Sequence, residues 1–300
     1  MKNIAPKKSL GQNFLTDRGV AKKIVESLDI QPNDLIVEIG PGTGALTEHI
    51  LDIINSKVIE NDLNNSPKLL AVELDIRAIS DLTTKFSNEL KNNTFKLINE
   101  DITKVYIEKE INILKDLFPH LQNVKVIGNL PYYITGQILD LILKSSNLFN
   151  CFIFMVQREV AERIVATKNT KDYSLLSLAV SLYGKPTKMF NVKPGSFFPA
   201  PKVTSSVVKI EFYNRSEFEI DEKYISPESI MKFAKISFSH RRKMLANTLK
   251  NYIENKTKKS LQEAYSEIDG LEILLKNRPE NLDKSEFIKL YLAIEKSIGK

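Results

Sequence analysis

Apolar and polar positions alternate in blocks along the chain. Short runs that are apolar and rich in β-branched residues stand at 34–40, 68–75, 95–99, 123–129 and 151–157. Stretches with helical spacing separate these runs, among them 43–54, 135–145 and 158–167. Strands that are apolar throughout must be covered on both faces, as in sheets flanked by helices. The pattern therefore predicts a Rossmann-like α/β fold with a mostly parallel, doubly wound sheet.

Two further strands follow a helical stretch at 173–184. They cover 187–193 and 205–212. The link between them, "PGSFFPAPKVT", is too rich in proline for a helix or an inner strand, so it is predicted to be a loop. Because no crossover helix joins these strands, we expect them to pair antiparallel at one edge of the sheet.

The character of the chain changes beyond residue 212. A polar segment at 213–226 is followed by helical spacing at 228–239, 241–253, 260–268 and 285–298. The sequence therefore predicts two domains. Residues 1–215 contain the sheet, and residues 216–300 form a small all-helical C-terminal domain.

Composition and charge restrict the location and partners of the protein. No apolar run reaches the roughly 20 residues of a membrane-spanning helix, and "MKNIAPKKSLGQNFL" at the N-terminus lacks the apolar core of a secretion signal. We therefore expect a cytoplasmic protein with no membrane partner. The net charge of +6 suggests a polyanionic partner, most often nucleic acid.

Cysteine and histidine offer little chemistry in this chain. Cys151 is the only cysteine and lies inside the apolar run "CFIFMVQ", where a buried side chain is expected. A single cysteine excludes an internal disulfide. The three histidines, His49, His120 and His240, lack the spacing of metal ligands, so no metal site is predicted.

Three glycines mark the junction of the first long strand and the helix after it. In "VEIGPGTG", Gly40, Gly42 and Gly44 allow a sharp turn and a close approach of the backbone to a ligand. The N-terminus of the following helix presents unpaired N–H groups at the same point. Open α/β sheets bind ligands at this carboxyl edge. The glycines therefore predict a cofactor loop.

Carboxylates at the ends of neighbouring strands would complete a nucleoside site. Glu73 in "VELD" can accept from both ribose hydroxyls, and Asp101 in "NEDIT" can accept from an adenine amino group. Asp75 is predicted to cap a helix. Glu38 lies in a core strand and either braces the glycine loop or caps its N–H groups. These features suit an NAD(H) enzyme as well as other adenosine cofactors, since the glycine spacing also fits a permissive dinucleotide fingerprint.

The segment "GNLPYYI" at the end of the fourth strand favours a different chemistry. Asn129 offers a side-chain carbonyl, and the main-chain carbonyl of Leu130 precedes Pro131. Two such acceptors can bind both protons of an exocyclic amino group and direct its lone pair at an electrophile. Tyr132 would stack on the base, which offsets part of the cost of extracting it. The segment offers no acid or base for hydride transfer, and Tyr133 is predicted to be mostly structural.

The glycine loop and "NLPY" together resemble an S-adenosylmethionine-dependent adenine-N6 methyltransferase. Further segments narrow the resemblance: "KKSLGQNFLTD", "VELD", "MVQREVAERI", "SFFPAPKVTSSVV" and "HRRKMLANTL". Over almost the whole chain, they resemble the bacterial small-subunit (16S) ribosomal RNA adenine dimethyltransferase family. Residues around 54–68 and part of 105–121 depart from the family pattern and are expected to be surface elaborations.

The resemblance implies roles for individual residues. It assigns Asn13 and Leu15 to the S-adenosylmethionine site with Gly40, Glu73 for the ribose and Asp101 for the adenine ring, and it places Asn129 beside the methyl donor. Phe197 or Phe198 would sandwich the target adenine against Tyr132, while the other phenylalanine lies in the core. The family transfers two methyl groups to each of two adjacent adenosines near the 3′ end of 16S rRNA in the 30S subunit.

Basic residues would contact that RNA. The candidates are Lys7, Lys8, Lys202 and the group Arg241, Arg242 and Lys243, which is predicted to open a C-terminal helix. We expect a monomer with a role in small-subunit biogenesis. Two alternatives remain: a large-subunit rRNA adenine methyltransferase and a ribosome-assembly factor that keeps the fold without catalysis.

Overall fold

The computed structural model describes residues 4–7, 10–57, 65–214, 219–220, 223–224 and 226–296, the short pieces 219–220 and 223–224 by their backbone only. The chain divides into two compact units. The first comprises Met1–Ala161 and Pro186–Tyr213, and the second comprises Glu162–Lys185 and Asn214–Lys300. Residues 162–185 thus group with the C-terminal residues, for which the sequence predicts a separate helical domain.

The strands are β1 (Phe14–Leu15), β2 (Asp34–Ile39), β3 (Lys68–Glu73), β4 (Phe95–Asn99), β5 (Asn123–Asn129), β6 (Cys151–Gln157), β7 (Gly184–Val192), β8 (Phe197–Phe198), β9 (Ser205–Phe212), β10 (Glu219–Ile220) and β11 (Lys223–Tyr224). The main sheet has the order β4-β3-β2-β5-β6-β9-β7. Parallel pairing joins β4, β3, β2, β5 and β6, which confirms the predicted fold class.

The two late strands, β7 and β9, lie next to each other at one edge of the main sheet, as predicted. Strand β9 pairs antiparallel with β6 and lies between β6 and β7, so β7 is the edge strand. Every side chain of β9 from Ser205 to Val208 is buried, which explains why this strand occupies an inner position.

Helices of the first unit cover the sheet. They are α1 (Arg18–Glu26), α2 (Ala45–Ser56), α3 (Ile76–Lys85), α4 (Ser87–Lys91), α5 (Ile107–Leu117) and α6 (Thr135–Lys144); α7 (Arg158–Val165) contains the division between the units. The expectation that part of 105–121 is a surface elaboration is wrong. Helix α5 buries Ile107, Ile111 and Leu114 and is the crossover between β4 and β5. Residues 58–64 of the other expected insertion lie outside the described residues.

The second unit consists mainly of helices. They are α8 (Leu175–Tyr183), α9 (Pro227–Ser237), α10 (Leu245–Thr257), α11 (Leu261–Glu267), α12 (Leu271–Leu275) and α13 (Lys284–Lys296). Phe233 and Phe287 are fully buried in it. Helix α10 begins at Leu245, so the basic residues 241–243 lie in the turn before the helix and do not open it, contrary to the prediction.

Three further sequence expectations concern Cys151, membrane-spanning helices and metal ligands. Cys151 is buried, and burial raises the pKa of its thiol to about 11, so it is an inert core side chain. Within the described ranges, none of the helices combines the length and apolar character required to cross a bilayer. The same ranges contain no group of three histidine, cysteine, aspartate or glutamate side chains suited to hold a metal ion.

Candidate active site

A cleft of about 210 Å³ opens at the carboxyl edge of the main sheet. It is lined by the ends of β2, β3 and β5, the turn after β4, and the N-terminal segment 10–15. Almost all the residues for which the sequence predicts a cofactor or catalytic role line this cleft; they are Asn13, Leu15, Gly40, Gly42, Glu73, Asp101, Asn129, Leu130, Pro131 and Tyr132. The topology therefore brings together residues that are far apart in the chain.

The glycine loop lies at the base of the cleft. Gly40 and Gly42 have φ values of +67° and +56°, which side chains other than glycine rarely adopt. A Cβ at Gly42 would lie 3.2 Å from the Phe14 ring, whereas a Cβ at Gly40 would have no atom of the described residues within 4 Å apart from its chain neighbours. Gly44 serves packing instead, because a Cβ there would lie 2.9 Å from Leu82 Cδ2. The open space at Gly40 leaves room for a ligand against the bare backbone.

Glu73 ends β3 beside this loop. Its Oε2 accepts from the Gly42 N–H at 2.9 Å and its Oε1 accepts from the Asp75 N–H at 2.7 Å. Only 7% of the residue is exposed, and this burial raises the pKa of the carboxyl group. Each carboxylate oxygen can accept a second hydrogen bond. Glu73 is thus held rigidly and keeps acceptor capacity towards the cleft.

Glu38 contacts the first turn of α2, whereas both roles that the sequence leaves open for it concern the glycine loop. Its Oε2 accepts from the Thr47 hydroxyl at 2.7 Å, and the main-chain N–H of Thr47 also bonds to it. Glu38 is fully buried, which raises its pKa to about 8, and the nearby Glu73 adds to the shift. The residue therefore braces the first turn of α2, directly after the glycine loop.

Asp75 caps α3, as predicted, and also anchors the N-terminal segment. Its Oδ1 accepts from the Arg77 N–H at 3.1 Å, and its Oδ2 accepts from Gln12 Nε2 at 3.0 Å. Arg77 bonds to both carboxylate oxygens and donates from Nη1 to the carbonyl of Ala5 at 2.9 Å. These bonds to Arg77 and Gln12 hold the pKa of Asp75 well below its usual range. No local pattern predicts the Gln12 contact, which joins residues 63 positions apart.

Asp101 lies in the turn after β4. Its Oδ1 accepts from the N–H and the hydroxyl of Thr103 at 2.9 and 2.8 Å, and these bonds lower the pKa of the carboxyl group. Glu100 accepts from the Asp101 N–H at 2.9 Å. Asp101 is therefore ionised and fixed by its neighbours, with Oδ2 available as an acceptor.

The two acceptors of the "NLPY" segment are held in different ways. Asn129 donates from Nδ2 to the carbonyl of Asn13 at 3.0 Å, which leaves its Oδ1 as an acceptor. Leu130 donates its N–H to Met155 O at 3.3 Å. Among the described residues, no donor reaches the Leu130 carbonyl, whereas the Pro131 carbonyl accepts from Thr135 Oγ1 at 3.0 Å. Asn129 Oδ1 and Leu130 O are thus available acceptors on consecutive residues.

The two tyrosines differ in their surroundings. The Tyr132 hydroxyl shares a hydrogen bond of 2.7 Å with Oγ of Ser205, which is buried in β9, and the residue is partly buried in the wall of the cleft. Tyr133 is 56% exposed and lies against Gly11. Sequence reasoning does not identify Ser205, because a single serine in an apolar strand carries no signal of its own.

The two phenylalanines of "SFFPAP" lie in a short strand and differ in their exposure. Strand β8 pairs antiparallel with β1, so that Phe198 lies opposite Phe14 and Phe197 opposite Leu15. Phe197 is 4% exposed and belongs to the hydrophobic core, whereas Phe198 is 63% exposed. One phenylalanine is therefore a core residue, as the sequence predicts, and Phe198 is the accessible one.

The basic residues for which the sequence predicts an RNA contact differ in their exposure and in their bonds. Arg241 donates from Nε to Glu280 at 2.8 Å and from Nη2 to the Lys171 carbonyl at 2.7 Å, so it contributes to the packing of the second unit. Four of the candidates are exposed, namely Lys7, Lys202, Arg242 and Lys243. The Nζ of Lys7 lies 4.0 Å from Asp75 Oδ1. Lys8 lies outside the described residues.

Comparisons with known proteins agree with this arrangement. A family model described as "Ribosomal RNA adenine dimethylase" matches residues 3–296. Proteins named "Ribosomal RNA small subunit methyltransferase A" are similar along almost their whole length. The one from Mycoplasma capricolum is 34% identical over 95% of this chain and 96% of its own, and the one from Streptococcus gordonii is 37% identical over 96% and 92%.

Solved structures give the same picture of the fold. A dimethyladenosine transferase from Plasmodium falciparum has a TM-score of 0.73 at 28% identity, covering 95% of this chain and 98% of its own. The 23S rRNA methyltransferase ErmE has a TM-score of 0.58 at 19% identity, covering 94% and 99%. At that identity, the second likeness concerns the fold alone.

Proposed function

Because the chain belongs to the ribosomal RNA adenine dimethylase family, we propose that it transfers methyl groups from S-adenosylmethionine to the N6 atoms of two adjacent adenosines near the 3′ end of 16S rRNA. The observation that carries the proposal is the pair of acceptors Asn129 Oδ1 and Leu130 O, both on residues that line the cleft at the carboxyl edge of the sheet. These acceptors suit an amino group and offer nothing to a hydride acceptor.

The residues of the cleft fit S-adenosylmethionine. The open space at Gly40 accepts a ligand against the backbone, Glu73 has free acceptor capacity for ribose hydroxyls, and Asp101 Oδ2 suits an adenine amino group. Asn13 and Leu15 line the cleft from the N-terminal segment. When bound, S-adenosylmethionine supplies an electrophilic methyl group on a positively charged sulfur.

Asn129 and Leu130 act on the target amino group. Each accepts one N–H of adenine N6, which turns the nitrogen lone pair out of conjugation with the ring. A monomethylated amine retains one N–H, so one acceptor still orients it for the second transfer. Alignment of the nucleophile carries most of the catalysis. No general base is required before attack, because the nitrogen becomes acidic only after it is methylated and its proton then passes to water.

Tyr132 and Phe198 hold the target base. Tyr132 stacks on the adenine ring, with its orientation set by Ser205, and the exposed Phe198 covers the other face. Stacking of a base on an aromatic side chain is worth about 1–3 kcal/mol. Phosphates of the rRNA are contacted by basic side chains in a manner independent of sequence; these are Lys7, Lys202, Arg242 and Lys243. The protein acts as a monomer on the cytoplasmic 30S subunit or its precursor and contributes to small-subunit biogenesis.

The test is methyl transfer from labelled S-adenosylmethionine to 30S particles that lack the modification. We expect N6,N6-dimethyladenosine on hydrolysis of the RNA and a primer-extension stop near the 3′ end of 16S rRNA. Particles of the 50S subunit are the control, and a stop on their RNA instead would favour a large-subunit enzyme. Binding without transfer to either particle would favour an assembly factor. Calorimetric titration with NADH and with S-adenosylmethionine separates the dehydrogenase alternative.

A further inference from the structure

Tyr133 is a large aromatic residue that the fold holds in place without burying it. It lies in the turn before α6, next to Tyr132, and more than half of its surface is exposed. No hydrogen bond to its hydroxyl is present among the residues that the structure describes. The residue also lines the cleft that contains Asn129 and Tyr132. Its ring therefore presents unused aromatic surface at the entrance of the active site.

The position of the ring depends on a glycine in the N-terminal segment. Gly11 has a φ of +56°, and a Cβ at this residue would lie 2.8 Å from Tyr133 Cδ1 and 3.3 Å from Cε1. The ring thus rests on bare backbone. That backbone is anchored, since Gln12 bonds to Asp75 and the Asn13 carbonyl accepts from Asn129. Tyr133 is consequently pre-oriented, and little side-chain entropy is lost when a ligand contacts it.

The chemistry of the surface indicates its ligand. An exposed aromatic ring at the mouth of a base-binding cleft suits a nucleobase, because every base offers a flat π-face. Tyr132 and Tyr133 are consecutive residues, and both line the cleft. A strand whose target base stacks on Tyr132 therefore brings its neighbouring nucleotide close to Tyr133.

We propose that Tyr133 is the stacking platform for the base that flanks the target adenosine. This inference rests on the proposed function and adds a second base-binding site to it. Extraction of the target breaks the stacking between that base and its neighbour, and Tyr133 replaces the lost contact. The platform tolerates any base, but it fits the modification of adjacent adenosines, because one adenosine is held while the other reacts.

The test combines two variants with three RNAs. The substrates are 30S particles whose 16S rRNA carries a ligated synthetic 3′ segment, either unmodified or with an abasic nucleotide on the 5′ or the 3′ side of a single target adenosine. On unmodified RNA, we expect Tyr133→Ala to lower kcat/KM by roughly 5- to 150-fold, the equivalent of one base stack. Tyr133→Phe retains wild-type kcat/KM, because the aromatic face rather than the hydroxyl contacts the base.

The abasic particles distinguish a base platform from a structural role. At one of the two flanking positions, removal of the base should lower the wild-type rate and abolish the difference between wild type and Tyr133→Ala. An equal loss from Tyr133→Ala on all three RNAs would overturn the proposal, as would a loss found entirely in the affinity for S-adenosylmethionine. Absence of transfer by the wild type would overturn the proposed function itself, and the platform with it.

Discussion

Asn129 donates from its Nδ2 to the main-chain carbonyl of Asn13, with a distance of 3.0 Å between the two atoms. The bond joins residues 116 positions apart and connects the N-terminal segment of the cleft to the segment proposed to bind the target. Because a carbonyl can only accept, the bond fixes which end of the Asn129 amide is the nitrogen. The side-chain oxygen is therefore left for the substrate amino group, and its direction depends on the N-terminal segment.

The first prediction concerns this amide. Asn129→Ala removes one of two acceptors for the amino group, and we expect kcat to fall by roughly 10²- to 10³-fold, as when one oriented polar group is removed from other active sites. The dissociation constant for S-adenosylmethionine should change by less than about threefold, since the acceptor acts on the substrate. Asn129→Asp keeps an acceptor oxygen but cannot donate to the Asn13 carbonyl, so its turnover should lie between those of the wild type and Asn129→Ala. Single-turnover methyl transfer and calorimetry measure the two quantities, and wild-type turnover in Asn129→Ala would exclude a role of this acceptor in catalysis.

The second prediction concerns the bond between Tyr132 and Ser205. Ser205→Ala leaves the tyrosine ring unfixed, and we expect kcat/KM for 30S particles to fall by roughly 2- to 12-fold, the equivalent of one hydrogen bond. Tyr132→Phe removes the same bond, so the double variant should lose no more than either single one.

Ser206→Ala is the matched control for this pair. Ser206 is also buried in β9, and its hydroxyl bonds to Asn191 Oδ1 at 2.8 Å rather than to a residue of the cleft. We expect a similar loss of thermal stability in both serine variants but an altered KM for RNA only in Ser205→Ala. Additive effects of Ser205→Ala and Tyr132→Phe would show that the bond does not position the ring.

The third prediction concerns the open space at Gly40. Gly40→Ala should lower the free energy of unfolding by about 1–2 kcal/mol, the usual cost of the left-handed conformation for a residue with a Cβ. It should also weaken the binding of S-adenosylmethionine, because the added methyl group enters the cleft. Gly270→Ala is the control, because Gly270 lies outside the cleft and also has a left-handed φ, of +71°. In the part of the chain that the structure describes, a Cβ at Gly270 would have no atom within 4 Å apart from its chain neighbours. Equal cofactor affinity in both variants, measured by calorimetry, would contradict the assignment of this space to the cofactor.

The fourth prediction follows from the pKa of Glu38, which burial raises from an ordinary value of 4.5 to about 8. Between these values the folded protein keeps a proton that the unfolded chain has lost. The contribution of Glu38 to stability therefore falls as the pH rises through this window, with a slope of at most about 1.4 kcal/mol per pH unit. Glu38→Gln keeps an acceptor for Thr47 and cannot ionise. Urea unfolding from pH 5 to pH 8.5 should show a flatter profile for this variant, and parallel profiles would contradict the prediction.

The fifth prediction separates two neighbouring arginines. Arg241→Ala removes bonds to Glu280 and to the Lys171 carbonyl, so we expect the melting temperature to fall. Arg242→Ala removes an exposed cation and should leave the melting temperature unchanged, while KM for 30S particles rises and its dependence on salt becomes weaker. Thermal melts and a salt series measure both effects. An unchanged KM and salt dependence in Arg242→Ala would argue against a phosphate contact at this residue.

The apolar runs are sufficient to predict the parallel part of the sheet. Strands that are covered on both faces are mostly apolar, and this local pattern is present in β2, β3 and β6. The place of β9 is not predictable in the same way. The apolar character of a strand does not indicate which strands it pairs with, and the position of β9 between β6 and β7 depends on pairing with residues 48 to 60 positions away. The wrong expectation for α5 has a different cause. Ile107, Ile111 and Leu114 have the spacing of a buried helix face, so a local signal is present there.

In the candidate site, too, some features can be predicted from the sequence and others require the structure. Gly40, Glu73 and Asn129 can be selected from the sequence because each stands at the end of a strand, and topology brings such ends together. The contacts of Gln12 with Asp75 and of Ser205 with Tyr132 cannot, because they join segments whose approach depends on the packed fold.

The choice between Phe197 and Phe198 also requires the structure. A strand of two residues has no alternation from which its buried face could be predicted. Only the pairing with Phe14 and Leu15 decides which ring faces the core.

The pairing of β1 with β8 has a consequence for the order in which the active site is completed during synthesis. The N-terminal segment leaves the ribosome first, but Phe197, the strand partner of Leu15, follows 182 positions later. Likewise, β7 lies at the edge of the sheet beside β9 and is made before it. A nascent chain that ends before β8 and β9 therefore lacks the strand that pairs with β1. It also lacks Ser205, which bonds to the Tyr132 hydroxyl. Such a chain should not retain the methyl donor, so we expect the protein to become able to transfer methyl groups only late in translation.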